Sequence, residues 1–139
     1  MTEYLLDSNH ASTLVTLYHP LRRKVLAAID EGHSFAIAVP VLTETIFGLT
    51  LLTRASQNWE EWYRLRQEIR CFILDEDDAQ KAALLRVSLR RRGRQLETVD
   101  SLIAAVALRY NYVLLTTDRD FDPIVALKRE NWMTLFTTP

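Results

Sequence analysis

Five carboxylates recur at positions where chemistry could be built. Asp7 ends the run Tyr4-Leu5-Leu6, Glu44 lies one turn into a helix that starts near Pro40, and Asp100 begins another helix. Asp118 and Asp120 follow Leu114-Leu115-Thr116-Thr117. Carboxylates gathered at one place repel: at an effective dielectric of about 20, a pair ~5 Å apart costs about 3 kcal/mol. A hard divalent cation such as Mg²⁺ or Mn²⁺ removes that cost and prefers oxygen ligands. Four acids could hold two such ions, the arrangement for in-line phosphodiester hydrolysis. Plain structural roles compete with this reading. Asp100 could serve the helix dipole in a first turn, and Asp118 and Asp120 could be turn residues. Glu44 resists such an explanation, because Pro40, Val41, Phe47 and Gly48 surround it at helical spacing and predict an apolar stripe. A carboxylate there needs a partner. Asp100 likewise shares its face with Ile103, Ala104 and Ala107.

The elements that must position these acids alternate in kind. Short apolar runs predict strands at Tyr4–Leu6, Phe35–Val39, Phe72–Leu74, Val113–Thr116 and Met133–Phe136. Helical periodicity links Leu21, Val25, Leu26 and Ile29, then Trp59, Trp62, Tyr63 and Ile69, then Leu102, Ile103, Val106 and Tyr110. Gly93 is placed to cap an arginine-laden helix. Strands separated by helices, and apolar throughout, predict a parallel sheet covered on both faces. The expected fold is therefore α/β, a three-layer α/β/α domain over residues 1–139 with about five strands. Open parallel sheets bind ligands beyond the carboxyl ends of their strands, where the acids fall.

Composition narrows the classes. The chain has 139 residues, 48% apolar and 25% charged, with three Gly and four Pro, which excludes disorder and low-complexity linkers. Cys71 is the one cysteine, so no internal disulfide forms, and it enters a buried strand as an inert thiol. No segment reaches the ~20 apolar residues of a membrane span, and the chain reads as cytoplasmic. Seventeen Lys and Arg against eighteen Asp and Glu give a net charge of −1. Contact with nucleic acid must then rest on a local patch or a bridging metal. No Gly-rich phosphate loop and no Gly-x-Ser-x-Gly elbow occurs, and His10, His19 and His33 lack metal-ligand spacing.

At the acids the sequence resembles the PIN-domain family, above all its small VapC-type toxin ribonucleases. Leu5-Leu6-Asp7-Ser8-Asn9 resembles the opening motif, and Val41-Leu42-Thr43-Glu44-Thr45-Ile46-Phe47-Gly48 the Glu-bearing helix. Asp100-Ser101-Leu102-Ile103-Ala104-Ala105 resembles the family's Asp-x-Leu-Ile-Ala-Ala helix, and Leu115-Thr116-Thr117-Asp118-Arg119-Asp120-Phe121 its closing motif. The resemblance implies a Mg²⁺- or Mn²⁺-dependent endoribonuclease, a homodimer, and a small antitoxin that neutralises it. It implies Asp7, Glu44 and Asp100 as metal ligands with Asp118 as the fourth, and Asp120 behind or bound through water. Ser8 and Thr116 would hydrogen-bond carboxylates or metal-bound water, and Asn9 would do the same or cap the first helix. In related toxins the region of Trp59, Trp62 and Tyr63 lines a groove for the antitoxin's helix.

Arg86, Arg90, Arg91, Arg92 and Arg94 form the strong basic run, and Arg86, Arg90 and Arg94 fall at helical spacing. They read either as a solvated face, some pairing with Glu97 or Asp75–Asp78, or as a track for RNA phosphates. Asp75-Glu76-Asp77-Asp78 reads as a helix start. The expectation is a toxin ribonuclease, against a non-catalytic PIN-like module that binds RNA or protein. A phosphoacceptor signalling domain is disfavoured, because a lone Asp7 follows the first strand and no Lys follows the last.

Overall fold

A computed structural model of the 139-residue chain describes residues 1–133. The apolar runs form β1 (Glu3–Leu6), β2 (Ser34–Ala38), β3 (Ile69–Phe72) and β4 (Val113–Leu115), and β5 is Arg129–Glu130. The helices are α1 (Ser8–Thr13), α2 (Pro20–Asp30), α3 (Val39–Leu51), α4 (Ala55–Arg66), α5 (Glu76–Arg91) and α6 (Thr98–Tyr110). A 3₁₀ turn, Arg119–Phe121, lies between β4 and β5. Pro20 and Pro40 open α2 and α3, where a missing N–H is no loss. Asp75 and Asp78 form a reciprocal capping box at the start of α5, each carboxylate accepting the other's backbone N–H at 3.0 Å. Gly93, at φ +74°, ends that helix as its position in the sequence predicts.

All strand pairings are parallel and the sheet runs β3-β2-β1-β4-β5, giving the three-layer α/β/α fold. The chain lays β2 and β3 to one side of β1, then returns to lay β4 and β5 on the other. Its order thus reverses between β1 and β4, where ligands bind in such sheets. Register aligns Leu6 with Leu115, so Asp7 and Thr116 leave the sheet side by side. Leu5, Leu6, Ile37, Leu114 and Leu115 are fully buried at the centre. Tyr4, Phe35 and Trp132 pack as an aromatic group at centroid distances of 4.9 to 5.9 Å. Among the described residues, no helix is long and apolar enough to cross a membrane.

Several expected boundaries shift. The third strand begins at Ile69, which the aromatic helical stripe had claimed, and ends at Phe72 rather than Leu74. Pairing with β2, Phe35 opposite Ile69 through Ala38 opposite Phe72, places the strand earlier than the apolar run Phe72–Leu74 predicts and takes Arg70 into it. In α4 only Trp62 and Leu65 are buried, and Trp59 and Tyr63 face outward. The fifth strand is the charged pair Arg129–Glu130, not Met133–Phe136. Met133 lies outside any strand, and residues 134–136 lie outside the described residues. Arg94 falls beyond the end of α5 instead of continuing its spacing from Arg86 and Arg90. Asp75 and Asp78 pair with Arg109, not with the arginine run, at 3.4 and 2.9 Å.

Candidate metal centre

Asp7 leaves β1 at the switch point and is buried there, 7% exposed. Its backbone N–H donates to the Leu115 carbonyl at 3.0 Å, continuing the β1–β4 ladder by one bond. Its Oδ1 accepts the Ser8 N–H at 2.9 Å and so caps α1. Its Oδ2 accepts the Thr116 hydroxyl at 2.7 Å. The same Thr116 oxygen accepts the Asp118 N–H at 3.0 Å, so one hydroxyl orients the ends of both central strands. Asp118 Oδ1 in turn accepts the Asp120 N–H at 2.8 Å, capping the 3₁₀ turn. Asn9 Nδ2 donates to Thr117 Oγ1, a second clasp between the two strand ends.

Asp100 is the third residue of α6 and half-buried. One carboxylate oxygen each of Asp100, Asp118 and Asp120 lie within 4.8 Å of one another. Burial, first, and then the charges of Asp118, Asp7, Asp120 and Glu44 push the Asp100 carboxyl up to about 6. Among the described residues, none of these five acids takes part in an ion pair. The group is all oxygen, anionic and without a countercharge, so its chemistry fits a hard divalent cation.

The structure therefore brings Asp100, Asp118 and Asp120 together and sets Asp7 and Glu44 close enough for their charges to bear on Asp100. Glu44 differs from its expected setting. The buried face of α3 is Val41, Thr45 and Leu49, and Glu44 is exposed one position away, with Phe47 exposed as well. It needs no buried partner, and its place beside the acids comes from α3 starting directly after β2. Asp120 joins the close group alongside Asp118. Ser8 touches Asp7 through its main-chain N–H, and the cap of α1 is Asp7 rather than Asn9.

One support was not singled out in the sequence, and a second, His10, was named there only as lacking metal-ligand spacing. Thr117 receives the Asn9 amide, and its position inside the closing motif is the signal that could have found it. His10 is wholly buried, and its Nε2 accepts the Trp132 N–H at 3.1 Å, pinning the chain after β5 beside α1. Burial pushes the imidazole down to about 4, so it stays neutral near pH 7. Its role is structural. The three expected RNA contacts, Arg86, Arg90 and Arg94, line a cavity of about 610 Å³ beside the start of α6.

A family model described as the PIN domain matches residues 4–126. No curated protein matches the chain. Among solved structures, VapBC2 from Rickettsia felis, bound to a promoter DNA fragment, aligns at a TM-score of 0.81 and 23% identity, covering 94% of this chain and 99% of that one. DNA-bound VapBC from Salmonella typhimurium aligns at 0.79 and 21%, covering 95% and 99%. VapC20 from Mycobacterium tuberculosis, a toxin that cleaves the Sarcin-Ricin loop, aligns at 0.64 and 17%, covering 88% and 95%. At these identities the likeness is one of fold.

Proposed function

The chain belongs to the PIN-domain family, and from that premise we propose that it is a Mg²⁺- or Mn²⁺-dependent endoribonuclease, the toxin of a cytoplasmic toxin–antitoxin pair. One observation carries the reading: three carboxylate oxygens from Asp100, Asp118 and Asp120 meet within 4.8 Å, with Asp7 close enough to act on Asp100, and among the described residues none of these acids takes part in an ion pair. When bound, divalent cations supply activation of the attacking water and stabilisation of the leaving oxygen. The chain's own residues do the positioning. Thr116 fixes Asp7 against Asp118, Asp118 orders the turn that carries Asp120, and the first turn of α6 carries Asp100 to them. Glu44, exposed on α3 and close enough for its charge to bear on Asp100, completes the ligand set proposed from the family motif, Asp7, Glu44, Asp100 and Asp118. No side chain acts as nucleophile. Water attacks phosphorus in line, the P–O3′ bond breaks, and the products carry a 5′-phosphate and a 3′-hydroxyl.

The toxin reading draws support from the fold shared with VapBC proteins and with a toxin that cleaves the Sarcin-Ricin loop. An antitoxin helix has a groove of about 310 Å³ between α3 and α4, lined by Leu42, Ile46, Trp59, Trp62 and Tyr63. We propose a homodimer as the working assembly. The test is cleavage of RNA with and without Mg²⁺ or Mn²⁺. Asp7→Asn, Glu44→Gln, Asp100→Asn and Asp118→Asn should each abolish metal-dependent cleavage with the fold intact. Asp118→Asn should impair cleavage more than Asp120→Asn, because Asp118 is half-buried against Thr116 and Asp120 is exposed. Full activity in Asp100→Asn would overturn the assignment. RNA binding without any cleavage would make the protein a non-catalytic module.

A further inference from the structure

Outside the acid centre, five arginines gather between residues 86 and 94, around the end of α5. Arg86 and Arg90 lie one turn apart on α5, and Gly93 then turns the chain so that Arg94 comes back toward them. All three line one cavity of about 610 Å³ whose remaining lining is uncharged. Arg86 is already committed, donating from Nε to the Leu96 carbonyl at 2.8 Å and from Nη1 to Thr98 Oγ1 at 3.0 Å. Arg90 and Arg94 are exposed, and among the described residues their guanidiniums make no hydrogen bond or ion pair. Guanidiniums held together without a countercharge repel one another, and a polyanion relieves that repulsion. In a chain of net charge −1 such a cavity does not follow from overall basicity.

Its location ties it to the acids. Thr98, held by Arg86, is the first residue of α6 and Asp100 the third, so the two lie within one helical turn. A strand held at Asp100 by one phosphate therefore has a basic cavity within reach for its neighbours. The planar guanidinium fork matches phosphate oxygens two at a time, and an open basic groove follows a single strand better than a stiff duplex. We propose that this cavity binds the phosphates of the single RNA strand flanking the bond to be cut. The proposal rests on the nuclease reading above.

The test reads binding apart from cleavage. In EDTA, with the Asp100→Asn chain as background, a mixed-sequence single-stranded RNA of ~20 nucleotides is titrated by fluorescence anisotropy at several salt concentrations. Adding Arg90→Gln and Arg94→Gln together should weaken binding roughly tenfold and flatten the log–log salt dependence by about 1.4, some 0.7 for each lost phosphate contact. Arg91→Gln, exposed on the same helix but outside the cavity, should leave both readings unchanged. Affinity and slope equal to the background in the double variant would overturn the proposal. So would arginine-dependent binding of a polyglutamate peptide with none of RNA, which would assign the cavity to an acidic protein. On the active chain, the double variant should raise KM for long RNA far more than KM for a trinucleotide. Loss of the nuclease reading is a separate outcome, because absent cleavage in the parent chain leaves the anisotropy result standing.

Discussion

The Asp100 carboxylate carries a cost set by its burial and its neighbours. Burial and then the charges of Asp118, Asp7, Asp120 and Glu44 raise its pKa from 3.8 to about 6. An acid raised in the folded state holds its proton more tightly there than in the unfolded chain. Its contribution is fully present below the unfolded value of 3.8 and is lost as pH rises through about 6. At pH 7 in EDTA, the charged carboxylate then destabilises the fold by about 1 kcal/mol, allowing for solvent screening. Asp100→Asn should therefore melt at a higher temperature than the parent under those conditions. The gap should close toward pH 4 and shrink or reverse as Mg²⁺ is added. A variant less stable at pH 7, indifferent to metal, would instead mark a helix-start residue whose charge is worth about 0.3–1 kcal/mol. The acids themselves were legible in the sequence because each follows an apolar run or opens a helix. The exposure of Glu44 was not. Val39–Leu51 is apolar on nearly every side, so its buried face cannot be phased from spacing alone, and packing selects Val41, Thr45 and Leu49.

At the scale of elements, α5 and α6 form the pair that sets where Asp100 sits, and their contact is sealed at the far end by charge. Asp78 is buried, its side chain 2% exposed, and accepts from Arg109 of α6 at 2.9 Å while closing the capping box with Asp75. The neighbouring pair Lys81–Asp77 is 3.0 Å apart but open to water on both sides. A buried carboxylate bound to a helix start and a second helix stabilises more than an exposed ion pair. Asp78→Ala should lower Tm by several degrees, and Lys81→Ala should move it by little. Equal shifts in thermal unfolding would show that the α5–α6 joint gains nothing from this bridge. Asp75-Glu76-Asp77-Asp78 was readable as a helix start because the acidic first turn carries its own signal, whereas its partner Arg109, thirty-one residues beyond Asp78, had none. The same contrast separates the strands. β1, β2 and β4 are apolar and central, so their runs announce them. β5 is two exposed, charged residues at the sheet edge, where charge blunts unwanted pairing and hides the strand from an apolar search.

Over the whole molecule, a near-neutral chain divides its surface into an acidic cleft, a basic cavity and an apolar face. The basic cavity was foreshadowed by the local arginine run, whereas the acids are scattered through the sequence, and the order β3-β2-β1-β4-β5 that brings them together follows from long-range pairing invisible in any window of sequence. The apolar face was half legible. The sequence shows an aromatic cluster at Trp59, Trp62 and Tyr63, and only the packing tells that Trp62 is core while Tyr63 is 72% exposed. On the adjoining helix α3, Phe47 and Leu51 are 67% and 71% exposed, too much apolar side chain to be incidental. A protein partner that covers them gains most from the aromatics, since buried aromatic anchors dominate interface energies. Because Phe47 and Tyr63 are exposed in the isolated chain, replacing them costs the fold little. Phe47→Glu and Tyr63→Glu should each weaken association with the proposed antitoxin by about 2 kcal/mol, roughly thirtyfold in Kd. Metal-dependent RNA cleavage should persist in both, and cleavage by the variants should resist the antitoxin at concentrations that silence the parent. Hydrogen exchange across residues 58–70 should slow on association. If both variants bind the antitoxin as the parent does but run as monomers where the parent runs as a dimer, the face belongs to the second copy. If neither reading moves, these aromatics serve α3 and α4 alone.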